Sequence, residues 1–99
     1  MRIAPRSERP SIEQNLGIMD NIQGNLEGAL AHYRLALDAF QAAGDERGSA
    51  MAYINLGMIN ADKKRWEDAD ASFERSFELT LRLGDAHLHA IALINRTEV

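Results

Sequence analysis

The chain has 99 residues, 45% of them apolar, a net charge of −4 and no cysteine. That length holds one small domain, and the lack of cysteine excludes a disulfide framework, a thiolate metal site and a thiol nucleophile. The charge is evenly spread with no basic stripe to follow a phosphate backbone, no apolar run approaches the roughly 20 residues that span a bilayer, and the start lacks the apolar stretch of a secretory leader. The expectation is a cytoplasmic protein with no nucleic acid and no membrane among its partners.

Residues 1–10 carry three arginines, two prolines and few apolar side chains, the composition of a disordered basic tail. Ser11 and Gln14 have the spacing of a capping box, which predicts a first helix over about 11–23. Gly24 and Asn25 stop the chain and recap it for a second helix over about 26–43. There Leu26, Ala29, Leu30, Tyr33, Ala36, Leu37 and Phe40 form one apolar face, opposite Glu27, Arg34, Asp38 and Gln41. Gly44 and Asp45 do the same for a third helix over about 46–61. Its Ala50, Met51, Ala52, Tyr53, Ile54, Leu56, Met58 and Ile59 leave few polar directions, so it is expected to be packed on both sides.

Lys63-Lys64-Arg65 reads as a solvated turn rather than a nucleic-acid patch. It precedes a fourth helix over about 66–83, with Trp66, Ala69, Phe73, Phe77 and Leu83 on its apolar face, and Glu67, Asp68 and Asp70 at its start complement the helix dipole. Gly84-Asp85 opens a fifth helix over about 86–97.

Two landmarks recur at one offset. Asn15-Leu16-Gly17 returns as Asn55-Leu56-Gly57, and Gly44-Asp45 returns as Gly84-Asp85, each 40 residues later. Such a period marks stacked units that bury a shared core. Ala90, Ala92, Ile94 and Asn95 match Ala50, Ala52, Ile54 and Asn55, but Arg96-Thr97 then replaces the expected Leu-Gly. The fifth helix therefore reads as a cap, with His87, His89, Asn95 and Arg96 supplying a polar outer face. The domain is expected over 11–97, in units 11–44 and 45–84 and a partial unit 85–97.

Asn-Leu-Gly on a first helix, alanines on a second and a short turn between them resemble a tetratricopeptide repeat over about 11–97. Gly17, Ala29 and Ala36 in the first unit, and Gly57, Ala69 and Ser76 in the second, match the family's small residues where paired helices cross. Ser76 departs mildly, and Lys64 stands where the family usually turns on Gly. The 40-residue period exceeds the family's common 34 and is similar to its longer-helix variety. The resemblance implies an all-α fold of antiparallel helix-turn-helix repeats, stacked as a short right-handed superhelix of about two and a half units.

It also implies an inner groove lined by the first helix of each unit. Residues at i, i+4, i+7 and i+11 share a helix stripe, which here reads Ser11, Asn15, Ile18, Ile22; then Met51, Asn55, Met58, Asp62; then Ile91, Asn95, Glu98. Asn15, Asn55 and Asn95 would form an amide ladder able to pair with a ligand main chain. Ile18, Ile22, Met51, Ile54, Met58 and Ile91 would take apolar side chains, and Asp62 closes the middle stripe. No Lys or Arg is found on these stripes, which disfavours a clamp for a carboxylate. His87 and His89 lack the i, i+4 spacing of a metal pair. No catalytic, cofactor or metal site is expected. The functional reading is a protein-interaction scaffold that takes a peptide or helical segment of a partner; the alternative is a self-assembly module that homodimerises through its apolar groove or its incomplete last repeat.

Overall fold

The computed structural model of the chain describes residues 8–97. These form five helices: α1 (Glu8–Ile22), α2 (Leu26–Ala42), α3 (Glu46–Asp62), α4 (Trp66–Leu83) and α5 (Ala86–Thr97). Turns of two or three residues join them, which makes consecutive helices antiparallel neighbours. Gly17 lies on Tyr33 and Asp20 faces His32 between α1 and α2, while Thr80 meets His89 and Asp70 meets Arg96 between α4 and α5.

Each break has a local cause. Asn25 Oδ1 accepts from the Gly28 N–H at 3.1 Å, Asp45 Oδ1 from Gly48 at 2.9 Å, and Asp85 Oδ1 from Leu88 at 3.0 Å, so α2, α3 and α5 are capped by side chains. Arg65, in the place of Asn25, makes no side-chain cap for α4. Lys64 adopts φ 60° where Gly24, 40 residues earlier, has φ 81°. Its turn closes in the same way: Lys64 N–H bonds Ala61 O and Arg65 N–H bonds Asn60 O, as Gly24 bonds Asn21 and Asn25 bonds Asp20. The left-handed turn is kept without glycine, at a steric cost of about 1–2 kcal/mol.

α1 starts three residues before the predicted Ser11. Proline is tolerated in a first helical turn because its missing N–H has no partner there, so Glu8-Arg9-Pro10 extend the helix and Ser11 lies inside it instead of capping it. The rest of the expected tail, residues 1–7, lies outside the described residues.

α3 touches all four other helices, as its apolar sequence predicts. α1, α3 and α5 make a continuous row, whereas α2 and α4 do not touch each other. A two-layer stack whose inner helices meet and whose outer helices are separate curves towards the inner row. The smallest dimension, 18 Å, is that of two helix layers. The core lies between the layers. Leu56 and Ile59 of α3 pack on Ala29, Leu30 and Tyr33 of α2, with Ala52 on Ala36 and Phe40, while Ala50 and Ile54 join Ala69, Phe73, Leu88 and Ala92. On α4 the apolar face is narrower than expected. Trp66 and Leu83 are partly exposed, and Ser76 and Thr80 are buried in their stead, their hydroxyls donating to the carbonyls of Phe73 and Phe77.

Candidate partner-binding site

The inner row presents α1, α3 and α5 to one side. On α3 the stripe Met51, Asn55, Met58 and Asp62 follows one face, with Met51, Asn55 and Met58 half-buried and Asp62 exposed. Met51, Met58 and Ile91 pack over the edge of the core that contains Ile54. A cleft of about 120 Å³ between α3 and α5 is lined by Met51, Ile54, Asn55, Leu88 and Ile91. A second, of about 310 Å³, lies where α1 meets the α2–α3 corner, bounded by Gln14, Phe40, Asp45, Arg47, Gly48 and Met51. Met51 is shared by both, so the middle of the groove is a flexible thioether between two hollows.

Ile54 is core rather than an exposed ligand contact: it is 3% exposed and lies at the floor of the α3–α5 cleft, because its position on α3 turns it towards α4 and α5. The groove also holds a cation. Arg47, one turn before Met51 on the same stripe, directs Nη1 to Met51 Sδ at 3.7 Å and donates from Nε to Asp85 Oδ2 at 3.0 Å. Extending the i, i+4 spacing backwards by one turn would have found it. Lys63, expected as solvated surface, pairs with Glu27 of the preceding unit, and its side chain is mostly covered.

The amides do not make a uniform ladder. Asn15 is exposed, Asn55 is half-buried, and Asn95 turns its amide back on its own helix, Nδ2 donating to Ile91 O at 2.9 Å. Of the stripe on α1, Ile18 and Ile22 project into solvent. The side chain of Ser11, and Glu98, lie outside the described residues. Gln14, 40 residues before Ile54, is a buried amide where the second unit buries an aliphatic side chain, and its Oε1 has no hydrogen-bond partner among the described residues.

Two carboxylates are held below their ordinary range. For Asp85 the causes are the Leu88 backbone N–H and then the Arg47 guanidinium; for Glu27 they are the hydrogen bond and the charge of Lys63. His89 is not the free surface group expected of it. Its Nδ1 lies 2.8 Å from Thr80 Oγ1, and its ring meets Phe77 edge-on at 5.5 Å, so it fastens α5 to α4. Sequence spacing gives no signal for that contact, since its partner lies on another helix.

The outer side differs in chemistry. Between α2 and α4, over α3, a furrow of about 320 Å³ is lined largely by polar and charged groups, among them Gln41, Glu46, Arg75, Glu78 and Arg82. Gln41 Nε2 donates to the Tyr53 hydroxyl at 3.0 Å, and Arg82 pairs with Glu46 at 3.3 Å. Its charges pair with one another, whereas the α3–α5 cleft on the inner side is walled mainly by thioether and aliphatic carbon. No group of three or more metal-ligating side chains occurs among the described residues, and no helix there is long and apolar enough to cross a membrane.

No curated protein and no solved structure matches the chain. A family profile described as Tetratricopeptide repeat matches residues 8–82, which takes in the first two helix pairs entirely except for the last residue of α4. With that match over two stacked helix pairs, the chain belongs to the tetratricopeptide repeat family, whose repeats generally mediate protein–protein interaction.

Proposed function

We propose that this protein is a cytoplasmic scaffold that binds a peptide or helical segment of a partner protein along the inner surface of α1, α3 and α5. The supporting observation is the half-buried run Met51, Asn55, Met58 and Ile91 beside two hollows, the pairing of apolar walls with a few polar groups that suits a ligand. Met51 and Met58 adapt to varied side chains, and Asn55, whose amide has no scaffold bond among the described residues of the kind Asn95 makes, offers both a donor and an acceptor to a main chain. Arg47, held by Asp85 beside Met51, adds a cation to the groove, so an acidic residue in the ligand is accommodated there.

The test is selection of ligands from a displayed peptide library with the whole chain as bait. Recovered peptides should shift the amide resonances of α1, α3 and α5, and Asn55→Ala and Met58→Glu should each weaken them by about tenfold while the variants melt as the parent does. Peptides that bind both variants as tightly as the parent would refute the groove.

A second reading is self-assembly through α5, favoured by the exposure of Leu93 (45%) and Ile94 (59%) on that helix. It predicts a molar mass that rises with concentration in light scattering and returns to the monomer value in Ile94→Glu; a monomer at all concentrations rejects it.

A further inference from the structure

The 40-residue repeat singles out an apolar stripe at the α1 end of the stack. On α3, the stripe Ala52, Leu56 and Ile59 is 0%, 6% and 0% exposed because it packs on the second helix of the unit before it, α2. The same stripe on α5 begins with Ala92, fully buried in the core shared with α4, and continues with Arg96, which pairs with Asp70 and Glu74 and lies over Phe77, again on the second helix of the preceding unit. On α1 the equivalent residues are Ile12, Leu16 and Met19, and they are 53%, 40% and 55% exposed. They recur at i, i+4 and i+7, so they form one apolar stripe. No other described helix covers it, since α1 touches α2 and α3 alone.

We infer that the Ile12–Leu16–Met19 face docks an amphipathic helix of a partner protein, seated as α2 sits on α3. The internal repeat states the chemistry of the occupant. What lies against this stripe in the second unit is a helix that presents alanine at two positions seven apart, Ala29 and Ala36, with leucine and an aromatic residue between them. The small residues admit the stripe, and the larger ones flank it. One adjustment follows from volume. Ile12 stands where Ala52 leaves room for Phe40, so the docked helix carries a small residue opposite Ile12. This end face is separate from the inner groove, and a second copy of the chain has no free helix of this kind to offer, because the matching face of its α2 is already covered by its own α3.

A synthetic peptide with the sequence of residues 25–43 carrying Phe40→Ala is the probe, titrated to millimolar concentration into the isotope-labelled full chain. The expected result is saturable shifts at Ile12, Leu16 and Met19 with a gain of helical circular dichroism, weakened about tenfold or more by Met19→Glu or Ile12→Glu and unchanged by Met58→Glu. Both α1 variants replace exposed side chains, and their melting curves are recorded alongside. Absence of shifts at α1, or shifts confined to Asn55, Met58 and Ile91, overturns the inference. A chain whose mass doubles with concentration and reverts in Met19→Glu also overturns it, since a second copy then occupies the face.

Discussion

At the residue scale, the two units differ at a few positions where one solved a packing or turn problem better than the other. Gln14 and Ile54 occupy the same place in their repeats, and the glutamine leaves a buried oxygen without a partner among the described residues, a condition that costs about 1–3 kcal/mol. Gln14→Ile therefore raises stability by about 1 kcal/mol, seen as an upward shift of the thermal midpoint; a lower midpoint would mean that the amide is needed where it is. At the other turn, Lys64 carries a left-handed backbone and Arg65 caps nothing, where the first unit has Gly24 and a capping Asn25. Lys64→Gly with Arg65→Asn should stabilise by about 1–3 kcal/mol, from relief of the φ strain and one new N-cap bond. Chemical denaturation of both single variants and the pair measures it. No gain in Arg65→Asn would show that α4 does not depend on its cap.

At the element scale, the helix pairs are close because glycine removes a side chain under an aromatic ring. A Cβ on Gly17 would sit 2.7 Å from the Tyr33 ring, and one on Gly57 2.8 Å from the fully buried Phe73, whose ring has nowhere to retreat. Gly57→Ala gains about 1 kcal/mol of helix propensity but forces the α3–α4 crossing apart, so a net loss of about 1–2 kcal/mol is expected. At Gly48 the clash with Phe40 is closer, 2.2 Å, and Gly48→Ala should cost more than Gly57→Ala. Equal stability of parent and both variants in urea would disprove that these glycines set the crossing. The corresponding contact between α4 and α5 exchanges volumes: Leu88 stands for Gly48 and Thr80 for Phe40, and both are buried.

At the scale of the whole molecule, charged pairs connect successive helices across the stack: Glu27 to Lys63, Arg47 to Asp85, Glu46 to Arg82, and Asp70 and Glu74 to Arg96. Glu27 and Asp85 have carboxyls held below their ordinary value in the folded chain. Their contribution is present above the unfolded carboxylate pKa, near 4, and is lost as pH falls through the lower folded value. Stability should therefore decline from about pH 5 downwards. Asp85→Asn, which keeps a capping oxygen but removes the charge that holds Arg47, should lower the melting midpoint at neutral pH and narrow the gap to the parent as the solution is acidified. A gap independent of pH would show that the Asp85 charge contributes nothing. The pairs also fix α5 on the stack, and with it the α3–α5 cleft, so an Asp85→Asn chain is expected to bind groove ligands more weakly.

The sequence by itself determined the helices, their turns and their order. A 40-residue recurrence of Asn-Leu-Gly and Gly-Asp, apolar spacing of three and four, and capping residues at three of four junctions are all local information, and local hydrogen bonds and helix periodicity act on it directly. It also singled out Met51, Asn55 and Met58 as one stripe, because a stripe is a property of one helix. What only the tertiary structure decided is what each stripe meets. Ile54 differs from Met51 by less than one helical turn, yet one is core and the other borders the groove, since α4 and α5 close over one side of α3 and leave the other open. Arg47, His89 and Lys63 acquired partners 38, 9 and 36 residues away. The bare stripe on α1 is distinguished from the buried one on α3 by its neighbours alone, because the pattern that specifies an apolar face does not say whether a second helix lies against it.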